Sequence, residues 1–148
     1  MGRNALKLWA YIVFIIYLLV LSIIDIKNRE LSLGAITMGI IFAPVFYLLK
    51  DDASVFANLL GLIPGSILLL LSYITRGQIG SADALLTIVI GATVGIADCI
   101  VIVGSALFLV APVSGVMLVC GRFDRKSRLP FVPFLFAGAV FVLLLAIL

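Results

Sequence analysis

Histidine is absent from this 148-residue chain, and cysteine occurs only twice, as Cys99 and Cys120. Without an imidazole there is no base for a Ser–His–Asp triad, and most zinc ligand sets go with it. The cysteines lie inside apolar sequence with no CxxC spacing, which reads as free buried thiols rather than a disulfide. No metal and no cofactor is expected. Charge is scarce too: acids number seven and charged residues make up 11% of the chain, against about 25% in a soluble domain.

Hydrocarbon fills the space that charge leaves. Hydrophobic residues reach 65%, where a soluble domain has about 45–50%, and no soluble domain of this size could bury that much apolar surface. The class is an integral membrane protein, and the length suits one domain over residues 1–148. The net charge of +3 then bears on topology rather than on nucleic acid, for which nothing else speaks.

Charges divide the chain into apolar stretches at 8–24, 31–49, 53–75, 84–97, 99–121 and 129–148. A spanning helix needs roughly 17–25 residues, and a barrel strand would alternate instead. The expectation is an all-α polytopic bundle of six transmembrane helices. Its fourth helix is short, about 14 residues or 21 Å, and turns tightly into the fifth near Gly95–Asp98. The first stretch lacks a small-residue cleavage site and is read as a helix, not a signal peptide. Met1-Gly2 lacks the Ser or Thr that myristoylation requires.

Pro44, Pro64 and Pro112 fall inside expected helices and should kink them. Gly61, Gly65, Gly91, Gly95, Gly104 and Gly115 should permit close helix approach. The Gly91-x-x-x-Gly95 pair is read as intrachain packing ahead of dimerisation, with a homo-oligomer left open.

Loop charges set the orientation. Lys27, Arg29, Arg76, Arg122, Arg125, Lys126 and Arg128 share one side, while Arg3, Lys7 and Lys50 share the other. The richer side should be cytosolic, which puts both termini outside. Asp25 then closes helix one, and Asp83 opens helix four, at the same cytosolic margin.

Each aspartate has an ordinary reading. Asp25 could be an interfacial charge paired with Lys27 or Arg29 in a solvated loop, and Asp83 an N-cap. Asp51 and Asp52 read as solvated beside Lys50, Asp98 as the N-cap of helix five, and Asp124 as paired within Arg122-Phe-Asp-Arg-Lys-Ser-Arg128. That basic loop reads as an anchor on anionic lipid. Glu30 has no assigned role, and Gln78 could line a site. Pro130 fits the first turn of helix six.

Ionisable groups in membrane segments tend to mark function, and the ordered motifs around these two aspartates go further. Asp25-x-x-x-Arg29-x-Leu31, Gly80-Ser-Ala-Asp83 and Pro130-Phe-Val-Pro-Phe-Leu135 follow one another across the chain. The trio resembles the type IV prepilin peptidase family, intramembrane aspartyl peptidases of the GxGD type. Family members read Asp-x-x-x-Arg-x-Ile-Pro, Gly-x-Gly-Asp and Pro-Phe-x-Pro-Phe-Leu at these places. Here Ser32 replaces a proline, Ala82 a glycine, and Leu85 a frequent lysine.

The resemblance implies a membrane aspartyl endopeptidase of a prokaryotic cell membrane that removes the basic leader from prepilin-like proteins. Cleavage would occur at the cytosolic face, before the substrate's apolar helix. Asp25 and Asp83 would be the catalytic pair, with Arg29, Gly80, Ser81, Ala82, Pro130 and Pro133 supporting the site or the substrate. Two carboxylates suit hydrolysis because one activates water while the other, protonated, polarises the carbonyl, and their titrations split.

Large bifunctional members add an N-terminal region with paired CxxC motifs and methyltransferase activity. Nothing like it precedes helix one here, so the expectation is a peptidase-only short form without S-adenosylmethionine, serving Tad-type, competence or archaeal filaments. The alternative from another class is a small proton-coupled transporter or channel subunit with the same carboxylates as a relay. A third reading is a structural subunit in which both are helix caps.

Overall fold

The computed structural model describes residues 3–28, 33–49, 54–76, 80–121 and 130–148. Seven helices occupy them: α1 (Arg3–Asn28), α2 (Leu33–Leu49), α3 (Val55–Leu60), α4 (Leu62–Ile74), α5 (Ser81–Val94), α6 (Ile96–Val119) and α7 (Val132–Ile147). No strand occurs among the described residues. The all-helical expectation holds, because unbroken apolar runs can satisfy their backbone within one segment only as helices.

Three segments are long and apolar enough to cross a membrane: Leu8–Asn28, Val55–Ile74 and Ile96–Val119. The second joins α3 and α4. Shorter apolar helices cover Gly34–Phe46, Ser81–Val94 and Val132–Leu145. Large side chains such as Tyr73, Phe108 and Val119 stand exposed, a surface suited to lipid and unsuited to water. The chain is a membrane protein by composition, helix length and surface.

The break between α3 and α4 has a local cause. Gly61 caps both helices, and Pro64 three residues on cannot donate to the carbonyl of residue 60, against which its ring would press. Gly61 also lies against Gly91 of α5, so closely that a methyl added to either would overlap the other's carbonyl oxygen. Asn58 reinforces the contact, donating from Nδ2 to the Ala92 carbonyl at 3.0 Å. The expected intrachain role of Gly91 is borne out.

Helix α5 is the central element. It packs on α4, α2, α6 and α3, and Ala84, Leu86, Thr87, Val89 and Ile90 are all buried. The Thr87 and Thr93 hydroxyls donate back to the carbonyls of Asp83 and Val89, at 2.8 and 2.7 Å, which lets polar side chains occupy the core. Gly95 turns the chain from α5 into α6 with φ +91°, a conformation that suits glycine. Around α5, one core joins Leu18 and Leu21 of α1, Phe46 of α2, Ile102 and Ala106 of α6, and Leu135 of α7.

Several expectations need correction. Helix α1 runs through Asp25 to Asn28, so Asp25 lies within the helix rather than closing it. Helix α5 starts at Ser81, earlier than the apolar run, but still has only 14 residues because Gly95 ends it. Gly95, not Asp98, caps α6. Pro133 occupies the first turn of α7, while Pro130 precedes the helix. A methyl added at Gly104 or Gly115 would meet nothing within 4 Å, so neither is a packing point; Gly39 and Gly138, unremarked in sequence, are. Both cysteines are free, but only Cys99 is buried.

Candidate functional site

Asp25 is 5% exposed, which sets aside its reading as a solvated loop charge. Its Oδ2 accepts a hydrogen bond from the backbone N–H of Val132 at 3.2 Å. Val132 is fully buried and opens α7, whose own cap residue Phe131 supplies no side-chain bond. The first N–H groups of a helix have no partner inside it. Asp25 supplies that partner from across the fold and places its carboxylate at the positive end of the helix.

Asp83 lies in the first turn of α5, three residues after the cap Gly80, so it is not the N-cap. Its carboxylate folds back over that glycine: Oδ2 lies 2.5 Å from where a Gly80 Cβ would stand, and Cγ 3.2 Å. The small residue at position 80 therefore leaves room for the acid. Asp83 and Ala82 are half-buried, and Ser81 is exposed.

The helices carrying these aspartates share no broad interface. Helix α1 packs mainly on α7 and α2, whereas α5 packs on α4, α2, α6 and α3. Two contacts through neighbouring elements nevertheless relate their heights. The Tyr11 hydroxyl on α1 donates to Asp98 Oδ2 at 2.8 Å, beside the α5–α6 corner. Six residues along α1, Tyr17 meets α2: its hydroxyl donates to the Ala35 carbonyl at 2.8 Å. A methyl added at Gly39 of α2 would collide with that hydroxyl and with Val89 Cγ1 of α5.

The links run upward in number along α1, 11 then 17, and downward from the corner into α5, 98 then 89. The two helices are therefore antiparallel. Beyond the second link, Asp25 lies eight residues along α1 and Asp83 six residues back along α5. At the helical rise these are about 12 Å and about 9 Å in the same direction. The register carries both aspartates to one end of the bundle, opposite the Tyr11–Asp98 bond.

At that end a cleft of about 710 Å³ opens between α4 and α5, lined by Leu69, Ser72, Tyr73, Ile74, Arg76 and Ser81. Ser81 places it two residues from Asp83. Its walls are mostly apolar, with Arg76 as the cationic group. Arg76 follows Thr75, the C-cap of α4, at φ +53°, a left-handed conformation uncommon outside glycine.

Pro130 and Pro133 are both half-buried at the start of α7, next to the Val132 N–H that Asp25 engages. Arg29, Glu30, Gln78, Asp51, Asp52 and Asp124 lie outside the described residues, as does the basic run from 122 to 128. Tyr11 and the Val132 N–H escape sequence reading, and Asp98 reads there only as a helix cap, because each acquires its role from a partner far along the chain.

Over 137 residues, 92% of its length, the chain is 26% identical to the prepilin leader peptidase/N-methyltransferase of Bacillus subtilis (strain 168). It spans 55% of that relative. No family model matches the chain, and no solved structure matches it significantly. Sequence similarity thus points from this helical membrane fold towards the prepilin leader peptidase family at most.

Proposed function

We propose that this protein is a membrane-embedded aspartyl endopeptidase that cleaves the basic leader from prepilin-like proteins, with Asp25 and Asp83 as its catalytic pair. One observation carries the reading: antiparallel register directs both carboxylate-bearing turns to the same end of the bundle. Similarity to a prepilin leader peptidase supports the substrate class.

In this reading α3 and α4 together form one span, giving six, with both termini outside and the aspartates at the cytosolic margin. The shortness of α5 supports that placement, since 14 residues cover about 21 Å of a hydrocarbon layer about 30 Å thick. Its N-terminal turn can then begin below the surface and still be reached by water. One carboxylate takes a proton from water as it attacks the scissile carbonyl, while the other, protonated, hydrogen-bonds the carbonyl oxygen. The proton is then passed to the leaving amine as the C–N bond breaks. The apolar cleft beside Ser81 offers an approach for the substrate's apolar segment.

The test is mass spectrometry of a co-expressed prepilin with the wild-type enzyme and with Asp25→Asn or Asp83→Asn. Loss of leader removal in both variants, with normal insertion, supports the pair. Normal cleavage by either variant sinks it.

A further inference from the structure

The mechanism leaves one polar pair unused: Tyr11 and Asp98, at the end of the bundle away from the catalytic aspartates. Tyr11 is half-buried on α1, and Asp98 is half-buried in the first turn of α6. Their 2.8 Å bond joins positions 87 residues apart, on helices that have no broad contact. Asp98 follows the Gly95 corner directly, and Gly95 has Asn58 Oδ1 3.2 Å from where a Cβ would stand. The acceptor therefore lies three residues past the glycine junction that ends α5 and packs against Asn58 of α3.

We infer that the Tyr11–Asp98 bond is a positioning device: it fixes the sliding register of α1 against the α5–α6 corner, and so the relative placement of Asp25 and Asp83. The inference rests on the proposed catalytic pair. Apolar side chains along α1, such as Phe14, Leu18 and Leu21, resist separation but define height along the axis weakly. A directional bond between two fixed points defines it well. Tyr11 also packs edge-on to Phe46 of α2, with ring centroids 5.6 Å apart, which orients the hydroxyl. Catalysis is sensitive to such placement, since a shift of about 1 Å can cost roughly 100-fold in rate.

The experiment uses the full chain in lipid nanodiscs with a prepilin substrate. Tyr11→Phe keeps the ring and removes the donor, Asp98→Asn keeps an acceptor, and Asp98→Ala removes it. Tyr11→Phe and Asp98→Ala should each lower kcat about 10-fold or more with KM little changed. Asp98→Asn should stay near wild type. The double variant Tyr11→Phe/Asp98→Ala should be no worse than either single one, as expected for one shared interaction.

A second readout does not need activity. Nitroxide labels at Ile26 and Ser81, in a Cys120→Ser background, report the separation of the two active ends by pulsed electron spin resonance. Tyr11→Phe should broaden or shift that distance distribution, and Asp98→Asn should not. An unchanged distribution together with unchanged kcat in Tyr11→Phe overturns the inference, as does a loss in Asp98→Asn equal to that in Asp98→Ala. If Asp25→Asn retained activity, the catalytic reading would fail, while the label distances would still decide the register role.

Discussion

Asp25 on α1 caps the first free backbone donor of α7, accepting from the Val132 N–H at 3.2 Å across 107 positions of sequence. A side chain expected to do chemistry thus also joins the first helix to the last. Two consequences can be separated by substitution. Asp25→Asn keeps an oxygen acceptor for Val132 but cannot act as an acid or base, so it should lose processing and keep its thermal stability. Asp25→Ala leaves the buried N–H unpaired and should be less stable than Asp25→Asn by about 1–3 kcal/mol. Thermal unfolding of the purified variants in detergent measures the difference.

Gly80 tests the other aspartate. A methyl at this position would press on the Asp83 carboxylate, whose flexible end can swing away. Gly80→Ala should therefore depress prepilin cleavage by about 10-fold through misplacement while leaving the melting temperature nearly unchanged. An assay showing full activity would remove any role for the small residue.

The Gly61–Gly91 contact predicts an asymmetry among glycines. Gly91→Ala drives a methyl into the Gly61 carbonyl, backbone against backbone, and should cost about 1–3 kcal/mol as an overpacking change. Gly104→Ala faces open space and should be neutral or slightly stabilising, since alanine is the better helix former. Parallel melting curves of the two variants check both halves.

Cysteine labelling probes both packing and topology. Cys120 is exposed at the end of α6, and Cys99 is buried. A maleimide should label one thiol per folded chain, and Cys120→Ser should abolish the labelling. With the proposed orientation, a membrane-impermeant reagent should reach Cys120 in inverted vesicles and not in intact cells. Labelling from outside would reverse the topology.

Composition determined the membrane class, and the unbroken apolar runs determined that it is helical. With so few charges, long stretches of the chain have no stable state in water, and an unbroken apolar run, unlike an alternating barrel strand, satisfies its backbone in lipid as a helix. The aspartates stood out for the same reason, as isolated charges in hydrocarbon, and helix boundaries followed from proline, glycine and the charged loops to within a few residues.

What the sequence could not contain was partnership. Asp25 was legible as a candidate, but its Val132 partner was not. Asp98 looked like a cap and turned out to hold Tyr11, because Gly95 had already ended one helix and begun the next. Gly91 and Gly104 look alike along the chain; one meets a backbone and the other meets nothing. Hydrophobicity depends on residue type and is read locally, whereas hydrogen bonds and close contacts depend on which helices lie side by side and at what height. The tertiary structure alone decided those, and with them the register that directs Asp25 and Asp83 to one end of the bundle.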